Sequence, residues 1–375
     1  MTKMKTDIVT VESDSDREAI QRAGRLLRDG AIVAIPTETV YGLAAKAENR
    51  ILSRLDRIKV RAAGKRYTLH IGRIEDLSRY VPRPSLQGRK LMRNTWPGPV
   101  TIVFELDETS LKQVKHALPA DTFELLYPDG TLGVRCPDNP VTSAVLTEAL
   151  APVVAPSANP DAQRPALTAQ EVVDYFDGHI EMVIDTPGAN RHRLASTVVR
   201  TGQRGLEVLR EGVYSRQQIL EAAAVTILFV CTGNTCRSPM AEALCRKYFA
   251  NKLNCGLDQI QDRGYTVASA GVAAFDGMPA SSHALDVCRE KQTPLASHRS
   301  TTLTESMIRQ ADLIFGMTAG HVQAVVDAVP QAGDRCFLLD PAGEISDPVG
   351  LDIDTYRACA EQIERCLSER INELL

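Results

Sequence analysis

The sequence predicts an α/β protein of two domains, an N-terminal twisted, mixed sheet over residues 7–215 and a C-terminal doubly wound parallel sheet over 225–375. Three observations lead there. The 375 residues exceed the usual size of one hydrophobic core, and 44% of them are hydrophobic, enough to bury two. Short apolar, β-branched runs alternate with amphipathic helical segments, as strands layered with helices require. The apolar run 225–230 passes through a polar loop into a helical segment, the opening unit of a parallel sheet.

Taken in order, residues 16–28 read as an amphipathic helix with Ile20, Ala23, Leu26 and Leu27 on one side, closed by Gly30 before a strand from Ala31. That strand runs into Pro36-Thr37-Glu38-Thr39-Val40-Tyr41-Gly42-Leu43, a polar loop where a ligand is commonly held. Residues 140–150, 168–176 and 215–224 read as helices, and Thr168 with Glu171 forms a capping box that explains this threonine without a ligand. The join falls near 211–224. In the second domain Ser238 is expected to cap, and Pro239 to start, a helix running to 249. Ser269-Ala270-Gly271 follows a strand, 311–318 is another strand, and 304–310 and 354–374 are helices. The site of such a sheet lies at the carboxyl end of its first strand.

Composition narrows the function classes. No apolar run approaches the ~20 residues of a membrane span, and the first residues lead to no signal-peptide core, so a cytoplasmic location without membrane contact is expected. Nine cysteines without repeating spacing suit a reducing compartment, and no Cys/His cluster has zinc spacing, so no bound metal is expected. Residues 1–224 carry a net charge of +2 and residues 225–375 a net charge of −6. Within 46–93, 14 basic residues face 4 acidic ones, a patch suited to a nucleotide or to tRNA. His179, Arg191 and His192 have no motif around them and read as a solvated loop.

The stretch Val230-Cys231-Thr232-Gly233-Asn234-Thr235-Cys236-Arg237-Ser238-Pro239 sets a thiol and a guanidinium six residues apart between strand and helix. Gly233 and Asn234 tolerate the unusual φ/ψ of a loop curled around an anion. Inward N–H groups and a helix N-terminus then bind an oxyanion and ionise the thiol, while Arg237 grips two phosphate oxygens and Ser238 steadies the thiolate. The bare spacing recurs at Cys359 and Arg365, inside an amphipathic segment lacking the Gly, Asn and Ser, and that copy reads as structural. Cys236 is either the partner of Cys231 in a reversible, protective disulfide or a buried spectator.

These residues resemble the low-molecular-weight protein-tyrosine-phosphatase family over about 225–375, and Asp347-Pro348 sits where that family places its general acid. The resemblance implies Cys231 as nucleophile, Arg237 as phosphate ligand and Asp347 as acid, with Thr232, Gly233, Asn234, Thr235, Cys236 and Ser238 forming the phosphate loop, no cofactor, and a phosphoprotein substrate. Tyrosine-directed members usually place aromatic residues directly after the Asp-Pro and Ile in the loop. This chain has Val349-Gly350 and Thr235, and resembles the protein-arginine-phosphatase branch, so phosphoarginine is expected ahead of phosphotyrosine. An arsenate reductase shares the loop but needs a relay of further thiols, for which Cys288 lacks an evident partner.

The first domain carries a second set of motifs: Lys59-Val60-Arg61, Trp96-Pro97-Gly98-Pro99, Val134-Arg135-Cys136-Pro137, Ala155-Pro156-Ser157-Ala158-Asn159, Ser196-Thr197-Val198 and Leu209-Arg210. Together with the 36–43 loop they resemble the YrdC family of threonylcarbamoyl-AMP synthases. The resemblance implies a reaction of L-threonine, bicarbonate and ATP, with Mg²⁺ carried by the ATP, that releases pyrophosphate and serves threonylcarbamoylation of tRNA adenosine 37 with tRNA-modification partner proteins. It assigns Lys59, Arg61, Asn159 and Arg210 to the nucleotide and Thr39, His70, Arg135, Ser157 and Ser196 to threonine. Two features depart from the family: residues 62–67 lack its prolines, so a flexible basic loop is expected, and Asn139 stands where His is common. An alternative is a non-catalytic RNA- or nucleotide-binding module joined to an active phosphatase.

Overall fold

The computed structural model describes residues 5–62, 64–202 and 205–372. The chain divides into two compact units, the first built from Met1–Gly202 and Leu206–Ala222 and the second mainly from Ala223–Leu375.

The first unit is one mixed, ten-stranded sheet. Its spatial order is Asp7–Thr10, Met182–Asp185, Val33–Ile35, Gly42–Lys46, Val153–Val154, Thr68–His70, Thr131–Arg135, Val100–Glu105, Thr197–Gly202 and Gly205–Arg210. Thr68–His70 runs parallel to Thr131–Arg135, with His70 opposite Arg135, whereas Val33–Ile35 and Gly42–Lys46 form an antiparallel pair. The predicted helix 16–28 is Arg17–Arg28, and the Asp16 carboxylate accepts from Ala19 N to cap it. Its apolar side, with Ile20, Ala23 and Leu27, enters a core with Val33, Ile35, Val145 and Met182. Gly24 lets this helix approach Pro140–Glu148, because a Cβ there would lie 2.6 Å from Glu148 Cβ. Thr168 caps Ala169–Phe176 by accepting from Glu171 N at 3.1 Å. Asn139 caps Pro140–Glu148 in the same way, accepting from Thr142 N at 2.9 Å.

The second unit is a four-stranded, wholly parallel sheet in the order Tyr265–Gly271, Val225–Cys231, Leu313–Gly316, Cys336–Leu338. The strand after Val225–Cys231 lies on one side of it and the next on the other, so the carboxyl end of Val225–Cys231 is the topological switch point. Leu228, Val230, Ile314 and Val325 pack together, and Phe229 stacks on Phe315 with ring centroids 5.7 Å apart. The helix after the loop is Arg237–Leu253, capped at Cys236, and begins two residues before the position expected. Ser238 is not its cap, because the hydroxyl is turned to the sulfur of Cys231. Ser269-Ala270-Gly271 likewise ends its strand instead of following it. The last helix is Ile353–Asn372, and the expected end at 374 lies outside the described residues. Among the described residues, no helix is long and apolar enough to cross a membrane.

Candidate active sites

Val225–Cys231 delivers the thiol at its last residue, and the helix Arg237–Leu253 opens six residues later, so 232–236 must turn tightly. Asn234 makes the turn in the left-handed region (φ 53°), a conformation its short polar side chain tolerates. Its N–H donates to Cys231 Sγ at 3.2 Å, and Ser238 Oγ stands 2.9 Å from the same sulfur. The Asn234 amide donates to Ser238 Oγ and Ser269 Oγ, both at 2.9 Å. Ser238 Oγ is nearer to the sulfur than to the Ala270 carbonyl, to which it can also donate at 3.4 Å. Asn234 is fastened from outside the loop as well: its Oδ1 accepts from Thr301 N and its backbone carbonyl from His298 Nε2, both at 2.8 Å.

Arg237 is buried; its Nη2 donates to Asp347 Oδ2 and its Nη1 to the Ile345 carbonyl at 3.4 Å. Asp347 remains 46% exposed, at the open side of the loop. His321 Nδ1 accepts from Thr318 N at 3.1 Å, so Nε2–H donates to Thr232 Oγ1 at 2.9 Å. Burial, and then Arg237, hold the His321 pKa down. Thr232 is exposed and Gly233 and Thr235 are partly exposed, placing them at the mouth. Cys236 and Cys231 are both free thiols, and Cys236 Sγ meets Tyr356 Oη at 3.2 Å and Ser281 Oγ at 3.3 Å. Cys359 is buried within the last helix, where burial pushes its thiol up to about 12. Cys288 is fully buried, and burial raises its thiol too.

In the first unit, Arg61, His70, Arg135, Ser157, Ser196 and Arg210 line a cavity of about 270 Å³. Arg135 ends the strand Thr131–Arg135 and donates through Nη2 to Glu38 Oε1 and Thr39 Oγ1, both at 2.7 Å. His70 Nδ1–H donates to the Thr68 carbonyl at 3.0 Å; burial, and then Arg135, push its pKa down to about 3, so the imidazole is neutral and Nε2 is an acceptor. Arg210 Nη2 donates to the Ser196 carbonyl at 2.8 Å, and Ser196 Oγ stands 3.1 Å from Thr101 Oγ1. Arg61 lies over the Tyr67 ring, 4.2 Å from its centroid. Arg61 Nη1 and Arg135 Nε are buried with no hydrogen-bond partner among the described residues, which suits an anionic ligand.

Three of the expected ligand residues are engaged elsewhere. Lys59 Nζ donates to the carbonyls of Ser157 and Asn159, both at 2.5 Å, and burial, followed by Arg61, lowers its pKa to about 8. Asn159 accepts from Ser157 Oγ at 2.6 Å and donates to the Pro160 and Gln163 carbonyls. Thr39 is wholly buried beneath Arg135. In the loop expected to be flexible, Lys65 pairs with Asp161, Arg66 with Asp129, and Tyr67 Oη donates to Asp56; Ala63 lies outside the described residues. Arg191 pairs with Asp138 on the surface. Among the described residues, no group of three or more His, Cys, Asp or Glu side chains is arranged to hold a metal ion.

The Sua5/YciO/YrdC family model, described as telomere recombination, matches residues 25–212, and the low molecular weight phosphotyrosine protein phosphatase model matches 226–374. A protein-arginine-phosphatase of Geobacillus stearothermophilus is 42% identical over 154 residues, which cover 40% of this chain and 95% of that protein. The chain belongs to both families. A threonylcarbamoyl-AMP synthase of Bacillus subtilis is 31% identical over 212 residues, 56% of this chain and 58% of that protein, so the chain spans little more than half of that relative. A solved structure of a doubly substituted P. abyssi Sua5 covers 95% of this chain at a TM-score of 0.51 and 21% identity, a likeness of fold alone.

Several residues that hold these sites in place carry no motif of their own. In the phosphatase domain they are Ser269, His298, Thr301, His321 and Tyr356, all brought to 232–238 by the fold. In the YrdC domain they are Glu38, fully buried under Arg135, and Tyr67, under Arg61. Glu38 stands in a loop whose polarity was visible. Its pairing with a strand residue 97 positions away was not.

Proposed function

We propose that the chain is a bifunctional cytoplasmic enzyme, a threonylcarbamoyl-AMP synthase over 7–215 joined to a protein-arginine-phosphatase over 225–375. The second activity is carried by one observation above all: the Asn234 N–H donates to the Cys231 sulfur at 3.2 Å, and the Ser238 hydroxyl stands 2.9 Å from the same sulfur. The thiolate is the form that attacks phosphorus. An S–P bond forms as the bond to the leaving nitrogen or oxygen breaks, and Asp347 gives that atom its proton. The Asp347 carboxylate then takes a proton from water, whose oxygen displaces the sulfur and releases phosphate. Arg237 holds the phosphoryl oxygens, and the loop N–H groups surround them.

In the first domain, Arg135 and Arg61, each with a buried nitrogen that makes no hydrogen bond, Arg61 Nη1 lying 3.8 Å from Asp56 Oδ1, receive the threonine carboxylate and the ATP phosphates respectively, and Arg210 adds charge beside Ser196. Neutral His70 and the Ser157 and Ser196 hydroxyls meet the threonine ammonium and hydroxyl. Lys59, Asn159 and Thr39 act one step back, by holding Ser157 and Arg135. ATP brings its own Mg²⁺, and positioning supplies the catalysis. The basic stretch 46–93 faces tRNA or its partner proteins.

Two measurements on the full chain test this. Pyrophosphate release from ATP should require both threonine and bicarbonate, and phosphate release should be faster from phosphoarginine than from phosphotyrosine peptides. Cys231→Ser should abolish the second and spare the first. Substantial phosphate release by that variant removes the nucleophile assignment, and pyrophosphate release indifferent to threonine removes the synthase.

A further inference from the structure

Behind the phosphate loop, within the second unit, lies a cavity of about 490 Å³, large enough for a small metabolite. Its walls include Ser269, His298 and Thr301, the three residues that hold Asn234 from outside. The remaining polar wall includes Thr293, Ser297 and a loosely closed pair of opposite charges. Glu242 Oε2 accepts from Ser269 Oγ at 2.6 Å, but Glu242 Oε1 is 4.0 Å from Arg246 Nη1, beyond hydrogen-bond distance. Arg299 adds a second guanidinium on the rim, and buried Leu295 with Val267 supplies an apolar wall.

We propose that this cavity binds a free α-amino acid, with its carboxylate on Arg246, its ammonium on Glu242 Oε1 and its side chain against Leu295 and Val267. The charges decide the class. A simple anion drawn to Arg246 meets the Glu242 carboxylate, and a simple cation drawn to Glu242 meets two guanidinium groups. A zwitterion satisfies both signs across the 4.0 Å gap between Glu242 and Arg246, with Arg299 left at the rim. The ligand also touches the residues that fix Asn234, whose N–H is aimed at the Cys231 sulfur, so occupancy changes how firmly the loop holds its donors. That coupling rests on the phosphatase reading, whereas the binding does not.

Calorimetric titration of the full chain with the standard amino acids tests it. Threonine and arginine are omitted because the two proposed active sites would take them up, and acetate and methylamine serve as half-ligands. At least one amino acid should bind with one-to-one stoichiometry, and each half-ligand at least about tenfold more weakly. Arg246→Met and Glu242→Gln should each weaken binding about tenfold, with unfolding temperatures showing that both variants fold. Saturation should change phosphatase kcat/KM about twofold or more and leave synthase turnover unaltered. Repeating the titration on Cys231→Ser reads binding without turnover. Absence of binding at millimolar concentrations, acetate binding as well as any amino acid, or binding that survives both substitutions overturns the proposal. Binding with no kinetic effect overturns the coupling.

Discussion

Replacing Gly271 by alanine should cripple the phosphatase domain without touching a residue of the loop. The added Cβ would lie 2.5 Å from the Thr232 carbonyl oxygen, 2.9 Å from Asn234 N and 2.9 Å from Ala274 Cβ. Gly271 cannot retreat, because its N–H donates to Thr301 O, its carbonyl accepts from Leu303 N, and its strand is in register with Cys231. The loop must therefore give way. Restoring the Thr232 contact from 2.5 Å to an ordinary 3.4 Å moves that carbonyl by roughly 0.9 Å, enough to break a hydrogen bond of 3.2 Å such as Asn234 N–H to Cys231 Sγ. Loss of one oriented donor at a reacting anion costs about 10²–10³ in rate, and the forced shift costs about 1–3 kcal/mol in stability. Phosphate release gives the first figure, and the rate of Cys231 alkylation by iodoacetamide at fixed pH, expected to fall, reports on the sulfur directly. Synthase turnover is the internal control. A variant with wild-type kcat/KM and wild-type alkylation would show that the loop does not depend on this close approach.

Lys59→Met should raise the KM for threonine as well as that for ATP, since its ammonium holds the Ser157 and Asn159 carbonyls; a rise for ATP alone would place Lys59 directly on the nucleotide. Thr235→Ile should move the kcat/KM ratio from phosphoarginine toward phosphotyrosine, and an unmoved ratio would assign specificity elsewhere. The pKa of buried His70 falls from about 6.5 unfolded to about 3 folded, so the folded state binds fewer protons in that window. Its contribution is complete above pH 6.5 and is lost as the pH falls toward 3. Denaturant unfolding at pH 4.5 should therefore find wild type weakened by about 2–3 kcal/mol relative to pH 7, and His70→Gln should lose less. Equal losses would mean that His70 is protonated in place.

The phosphate loop was legible because its chemistry is contiguous: Cys231, Gly233, Asn234, Arg237 and Ser238 fall within eight residues and mean little apart. One local error came from the same place. Ser238-Pro239 has the form of a helix start, but the hydroxyl serves the sulfur, and the helix opens uncapped by a side chain at Cys236. What stayed hidden lies at long range. Asn234 is fastened from 64 and 67 residues away, by the His298 imidazole on its backbone carbonyl and by the Thr301 backbone N–H on its side-chain oxygen. In the YrdC domain, residue types pointed to a ligand site, but type alone does not say whether a cation faces the cavity, as Arg61 does, or a carbonyl, as Lys59 does.

The contact between Arg237 and Asp347 bears on what happens between turnovers. Arg237 donates to the Asp347 carboxylate, so on the proposed reading a phosphate drawn to this guanidinium would exchange with a carboxylate instead of adding to a bare charge. On the proposed mechanism, that exchange would free Asp347 for its part as proton donor. Departure runs the exchange backwards, with the carboxylate returning as inorganic phosphate loosens, so the product competes with a tethered rival that is never diluted. A domain built this way should be only weakly inhibited by free phosphate, and Asp347→Asn should tighten phosphate binding while it slows the chemistry.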